Sequence, residues 1–329
     1  MLESVISVCM VVIAVGLAVF IFYPPPPPSP LVHQLEETAK FYSFRNQNIY
    51  YLTYHNQASQ NADALVLLHG FPTSSYDYYK IVPKLRKKFR DVILIDFLGF
   101  GFSDKPAGYN YSIELQANIV EELAIFLKLQ SFHILSHDYG DTVTQELLAR
   151  QIGENFNSKL KIKTVCLLNG GIFPETNKPF FIQKALTTPI LGNLLSQLMN
   201  YRTFSLRMND LFGPFTKPLE QEIRDMWYLS AKNDGYLRSP SLLTYISQRI
   251  EQRERWVGAL QNSNIPVLMI YGPSDLVNPP PFAEHFRSEV PNGELKILNE
   301  SIGHYPQLEA PEEVLDAYFE FFHKHQSLK

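Results

Sequence analysis

Two kinds of apolar pattern divide the chain. Val5 to Tyr23 is an almost unbroken apolar stretch of 19 residues, with no charged side chain anywhere from Ser4 to Val32. Beyond residue 39 the apolar residues come instead in short runs separated by polar loops and helical patterns. Ala64 to Leu68, Val92 to Ile95, Phe132 to Leu135, Thr164 to Leu168, Val267 to Tyr271 and Leu295 to Leu298 are such runs. Continuous apolar runs of this length suit strands buried on both faces of a mostly parallel sheet. Phe41 to Tyr54, rich in aromatics, predicts two further strands with a turn at Arg45-Asn46-Gln47-Asn48. Helical patterns at Ile113 to Leu129 and Thr142 to Ile152 supply crossover helices, so the body predicts an α/β fold. From Gly171 to about Leu260 no strand run occurs. An interval of roughly 90 residues is too long for a loop and predicts an inserted helical lid. Lying between the sixth and seventh strands, it would cover the crevice at the strand C-termini, where open α/β sheets bind ligands.

The N-terminal stretch changes the picture. As a helix it would be about 28 Å long, near the thickness of a bilayer's hydrocarbon core, and no basic residue precedes it as in a signal peptide. It predicts one uncleaved membrane-spanning helix, followed by a stiff proline-rich spacer beginning at Pro24 to Pro28. The expected organisation is an anchor over residues 1–23, a spacer over 24–38, α/β core over 39–170 and 261–329, and a lid over 171–260. Lys40 and Arg45 follow the stretch and favour a cytosolic body. The sequons at Asn110 and Asn299 would permit a lumenal one.

Composition narrows the function classes. With 45% hydrophobic and 19% charged residues the chain is neither disordered nor collagen-like. A net charge of −4 removes the footprint of a general nucleic-acid binder. Cys9 and Cys166, the only two cysteines, make no disulfide framework. No cofactor or metal is expected.

The candidate chemistry sits at strand ends. Ser136-His137-Asp138-Tyr139-Gly140 follows one strand and precedes a helix, with small residues flanking a central aspartate. Such a turn lifts its central side chain above the sheet beside the helix N-terminus. An aspartate there is ordinarily a helix cap; its surroundings favour a nucleophile. His69-Gly70-Phe71-Pro72 ends another strand, and the amides of Phe71 and Tyr139 are candidate oxyanion donors. Asp275 and His304 each follow a later strand, giving the order Asp138, Asp275, His304 of nucleophile, acid and base in an α/β-hydrolase.

On His69-Gly70-Phe71-Pro72 and His137-Asp138-Tyr139-Gly140 the chain resembles the epoxide hydrolase and haloalkane dehalogenase branch of the α/β-hydrolases. Blocks such as HGFPTSSYDYYK from His69, DFLGFGFSDKP from Asp96, NGGIFPET from Asn169, RWVGAL from Arg255 and HYPQLE from His304 are similar to one family of that branch. That resemblance implies a membrane-associated hydrolase, of the endoplasmic reticulum, in which Asp138 attacks an electrophilic carbon such as that of an epoxide. His304, oriented by Asp275, would then activate water against the alkyl ester. Tyr139 stands where dehalogenases place a halide-holding tryptophan, which counts against halide release. The family's cap tyrosines predict a proton donor among Tyr201, Tyr228, Tyr236 and Tyr245, and these, with His69, are the expected substrate contacts. An apolar small molecule or lipid is the expected substrate. The competing expectation is an idle α/β-hydrolase scaffold that binds a lipid or protein partner.

Overall fold

The computed structural model describes residues 2–22, 24, 27–59, 63–153, 157 and 159–326. Its N-terminal helix, α1, runs Leu2–Phe22. The expected membrane-spanning helix is corrected: among the described residues no helix is long and apolar enough to cross a membrane. Tyr23, Pro25 and Pro26, at the expected junction with the spacer, lie outside the described residues. The rest of the spacer does not lead away from the body. Pro30 opens α2 (Pro30–Glu37), where its missing N–H costs nothing. The amide and hydroxyl of Ser29 both donate to Asp225, at 2.7 and 2.6 Å, and Val32 is buried.

Eight strands form one sheet in the order β1-β2-β4-β3-β5-β6-β7-β8. They are β1 (Lys40–Phe44), β2 (Gln47–His55), β3 (Ala64–Leu68), β4 (Asp91–Ile95), β5 (Ser131–His137), β6 (Lys161–Leu168), β7 (Val267–Tyr271) and β8 (Glu294–Ile297). β1, β2 and β4 pair antiparallel and every later pairing is parallel. The β1–β2 turn places Arg45 and Asn46 at positive φ, as a two-residue hairpin requires. All five residues of β3 and of β7 are buried, which explains why both read as unbroken apolar runs.

One face of the sheet is covered by α4 (Ile113–Phe126) and α5 (Tyr139–Ile152), the other by α3 (Val82–Lys88) and the C-terminal helix. α5 begins three residues earlier than its pattern predicts. Tyr139 to Ala149 are all buried, so its first turn shows no amphipathic stripe. Between β6 and β7 the chain is helical: α6 (Phe181–Leu186), α7 (Pro189–Gln197), α8 (Tyr201–Leu211), α9 (Glu220–Ala231), α10 (Ser239–Leu242), α11 (Tyr245–Glu251) and α12 (Arg253–Asn262). α12 packs against α5 rather than over the strand ends: Arg255 and the Trp256 indole both bond Glu146, at 2.8 and 2.9 Å. The helices above the strand ends therefore stop at Glu251.

Candidate active site

Asp138 occupies the single-residue turn between β5 and α5 at φ 45° and ψ −101°, a conformation costly for any residue but glycine. The turn closes because Gly140 has no side chain. A Cβ there would lie 2.3 Å from the Leu68 carbonyl oxygen, and the Gly140 amide donates to the His69 carbonyl at 3.0 Å. Gly140→Ala is accordingly expected to lower stability by about 3 kcal/mol, the upper end of overpacking costs, read as a drop in the midpoint of urea unfolding. An unchanged midpoint would mean that the turn has room the geometry denies.

Asp138 stands at the N-cap of α5 but makes no side-chain capping bond. Its carboxylate reaches elsewhere. Oδ2 accepts the Phe71 amide at 3.1 Å, and Oδ1 lies 3.4 Å from Nη2 of Arg249, which also bonds the Asp138 carbonyl at 3.2 Å. The Phe71 amide that meets the carboxylate comes from the loop after β3, and the Tyr139 amide is the first of α5, with no intrahelical acceptor. The Tyr139 ring is buried among Phe97, Phe100 and Tyr245 at centroid distances of 5.5, 5.3 and 5.1 Å.

Asp275 and His304, from the loops after β7 and β8, meet with Asp275 Oδ2 at 2.8 Å from His304 Nδ1. Three further donors hold Asp275: the side-chain amides of Asn169 and Asn278 at 2.9 and 3.0 Å, and the Val277 amide at 2.7 Å. Burial works to raise the Asp275 carboxyl, but the His304 charge and these bonds outweigh it and hold it below its ordinary value. Burial likewise opposes a charged His304, yet Asp275, and to a lesser degree Asp138 and Glu309, pull the imidazole up to about 9. Glu309 also fixes the loop, accepting the amides of Gly303 and Tyr305 at 2.8 and 2.9 Å and that of Gly213 from the helical segment at 2.8 Å.

Asp138 and His304 share one cavity of about 300 Å³. Its roof is apolar, from Ile182 and Leu186 of α6, Leu195 of α7, and Phe204 and Met208 of α8. Of the four tyrosines singled out from the sequence only Tyr245 lines it. Tyr236 lines a much smaller hollow beside Pro72, Tyr228 lies beneath Lys232 Nζ at 5.6 Å from its ring, and Tyr201 packs into the core. His69 does not reach the cavity. It is fully buried, with Nδ1 on the Gly70 carbonyl at 2.8 Å and Nε2 accepting the Phe97 amide at 3.1 Å. Burial lowers its pKa, so a neutral ring ties the loop after β3 to the loop after β4.

The sequence reading missed Arg249, Asn169 and Asn278. Asn169 carried a signal, since it is the first residue after β6 and thus at a strand end. Arg249 carried none, because only tertiary packing brings α11 to Asp138.

Residues 63–311 match the family model described as the alpha/beta hydrolase fold. The mesoderm-specific transcript homolog protein of Bos taurus is 49% identical over 93% of this chain and 92% of its own length. The chain belongs to the α/β-hydrolase family, on its mesoderm-specific transcript branch. Among solved structures, the epoxide hydrolase CorEH aligns over 87% of this chain and 99% of its own at a TM-score of 0.68 and 20% identity. The haloalkane dehalogenase DbeA from Bradyrhizobium elkani covers 88% and 99% at a TM-score of 0.72 and 18% identity. These two likenesses concern the fold alone. The putative hydrolase LipZ of Mycobacterium tuberculosis is 33% identical over 77% of this chain and 86% of its own length, and this chain is a hydrolase-fold protein whose cleft holds a carboxylate and an imidazole–carboxylate pair.

Proposed function

We propose that this chain is a hydrolase of epoxide-hydrolase type, opening an epoxide or a similar electrophile of an apolar or lipid substrate through an ester on Asp138. The observation that carries this reading is the side chain at the β5–α5 turn: a carboxylate, uncapped, facing a cavity it shares with His304. A carboxylate can displace at an sp³ carbon without a base, and the resulting ester carbonyl is then open to water activated by His304, with Asp275 holding the ring. In this reading the Phe71 and Tyr139 amides stabilise the tetrahedral oxyanion. Tyr245, the candidate tyrosine at the cavity wall, is assigned the proton donor to the opening ring.

An apolar roof supports the substrate class, and so does the outer surface of the same helices. Phe181, Ile190, Leu194, Leu198 and Leu206 are all exposed, and Leu198 belongs to the cavity wall as well. Residues 171–219 carry five lysines and arginines against two acids, in a chain of net charge −4. Exposed apolar side chains on a segment of net positive charge, one of them shared with the cavity wall, suit contact with an anionic lipid surface from which substrate would enter. The test of the activity is incubation with a panel of lipid epoxides and mass spectrometry of the peptide containing Asp138. An adduct on Asp138 supports it, and diol formation without any adduct at that residue contradicts it.

The pH dependence follows from His304. As a base it must be neutral, and in the free protein its imidazole is held up to about 9 in part by the Asp138 charge. Ester formation removes that charge, so the imidazole of the ester titrates below the free value. Ester breakdown should therefore accelerate with rising pH, roughly tenfold per unit below the His304 midpoint, and level off before pH 9. Rapid-quench measurement of ester decay checks this; a rate flat from pH 5 upward would remove His304 from the step.

One observation favours the second reading, an idle scaffold that binds a lipid or protein partner. The Arg249 guanidinium faces Asp138, and a paired carboxylate is a blunter nucleophile.

A further inference from the structure

Arg249 is 3% exposed and belongs to α11, in the helical cover rather than the core. Its guanidinium is held on several sides. Nε donates to Thr142 Oγ1 of α5 at 2.8 Å, Nη2 faces the Asp138 carbonyl and Oδ1, and the central carbon lies 4.4 Å from the centroid of the Tyr245 ring. Gly171 leaves room for it, since a Cβ there would stand 2.4 Å from Nη1. Asp141, one turn into α5, is not the matching anion: burial pushes its carboxyl well above the usual range, and its Oδ1 accepts the Ser136 hydroxyl at 2.6 Å. A cation buried this fully needs a negative partner. The two groups it touches within the cavity are Asp138, which loses a charge in the proposed reaction, and Tyr245, which gains one.

We propose that Arg249 is a catalytic counter-ion, pairing with the Asp138 carboxylate before attack and stabilising the negative charge that ring opening transfers to Tyr245. The inference rests on the aspartyl-ester reading. In the first step an Asp138 oxygen bonds to the epoxide carbon as that carbon's bond to the ring oxygen breaks. The ring oxygen takes the electron pair and then the Tyr245 proton. The negative charge has moved from carboxylate to phenolate, and the guanidinium has a partner at both ends of the transfer. In the second step water bonds to the Asp138 carbonyl carbon, one of its protons passes through His304 to the departing product oxygen, and the other returns to Tyr245. Asp138 is again an anion, paired with Arg249. The ion pair then belongs to the working cycle instead of marking an idle site, because a fixed cation that follows the charge lowers the barrier more than its ground-state pairing raises it.

The test separates the two half-reactions in the full-length protein. With an epoxide that labels Asp138 in the wild type, Arg249→Met should slow ester formation about 100-fold, the scale of losing one preorganised electrostatic donor. Decay of the ester after substrate removal should change less than about fivefold, because no charge passes to Tyr245 in the attack of water. Arg249→Lys, which keeps the charge and loses the fork, should recover about tenfold of the loss, and it carries the comparison if the methionine variant does not fold. Ester formation at the wild-type rate in Arg249→Met, or equal slowing of both steps in the two variants, would overturn the proposal by making the residue inert or merely structural. Absence of any Asp138 ester in the wild type would instead remove the underlying reading, and the counter-ion with it.

Discussion

Asp138→Asn should yield no covalent adduct with a lipid epoxide and lose turnover by at least about four orders of magnitude, as when other enzymes lose their nucleophile. An amide oxygen is a far weaker nucleophile than a carboxylate, and among the described residues no other carboxylate lines the cavity. The fold should survive the change. Asparagine is among the residues that best tolerate positive φ, and its carbonyl can keep the hydrogen bond that Asp138 Oδ2 accepts from the Phe71 amide. The substitution leaves Arg249 without its charged partner, so a modest loss of stability should accompany the loss of activity. Asp138→Ala guards against slow deamidation, which would restore the acid in the asparagine variant. Steady-state diol formation, with thermal unfolding as the control for folding, decides the matter: an alanine variant that still turns over its epoxide removes Asp138 from the chemistry.

His304→Gln should have an equally large effect on turnover and the opposite effect on the adduct. Attack by a carboxylate needs no base, so the ester should still form; its hydrolysis does need one, so the ester should accumulate to about one per chain. Glutamine at 304 cannot accept a proton from water, and it removes the cation beside Asp275, which then sits buried with only neutral donors. Intact-protein mass spectrometry over time gives the result directly. A variant that neither turns over nor accumulates adduct would place His304 in the first step.

The strands and the order of the catalytic candidates were legible because both rest on local chemistry. β3 and β7 are buried on both faces, and their residues are apolar without interruption. Asp138 follows β5 directly and Asp275 and His304 lie in the loops after β7 and β8, so their position at one end of the sheet follows from its parallel pairing. What escaped the sequence depends on packing between distant segments. Nothing local distinguishes Tyr245 from Tyr201, Tyr228 or Tyr236, and only the seating of α11 brings Tyr245 to the cavity and Arg249 to Asp138. His69 looked like a substrate contact because it opens the turn that holds Phe71, yet its ring faces inward and links two loops. The N-terminal stretch was read by its unbroken apolarity, and among the described residues no helix is long and apolar enough to cross a membrane.

The central claim is that Asp138 itself, and not a water molecule, attacks the substrate. A single turnover in water enriched in ¹⁸O, with protein in excess over epoxide, tests it most directly. If the ester forms, water attacks the Asp138 carbonyl carbon, so the label enters the Asp138 carboxyl while the first diol carries the unlabelled carboxylate oxygen. Label in the diol of that first turnover, with none in the peptide containing Asp138, would mean direct attack by water and would contradict the account.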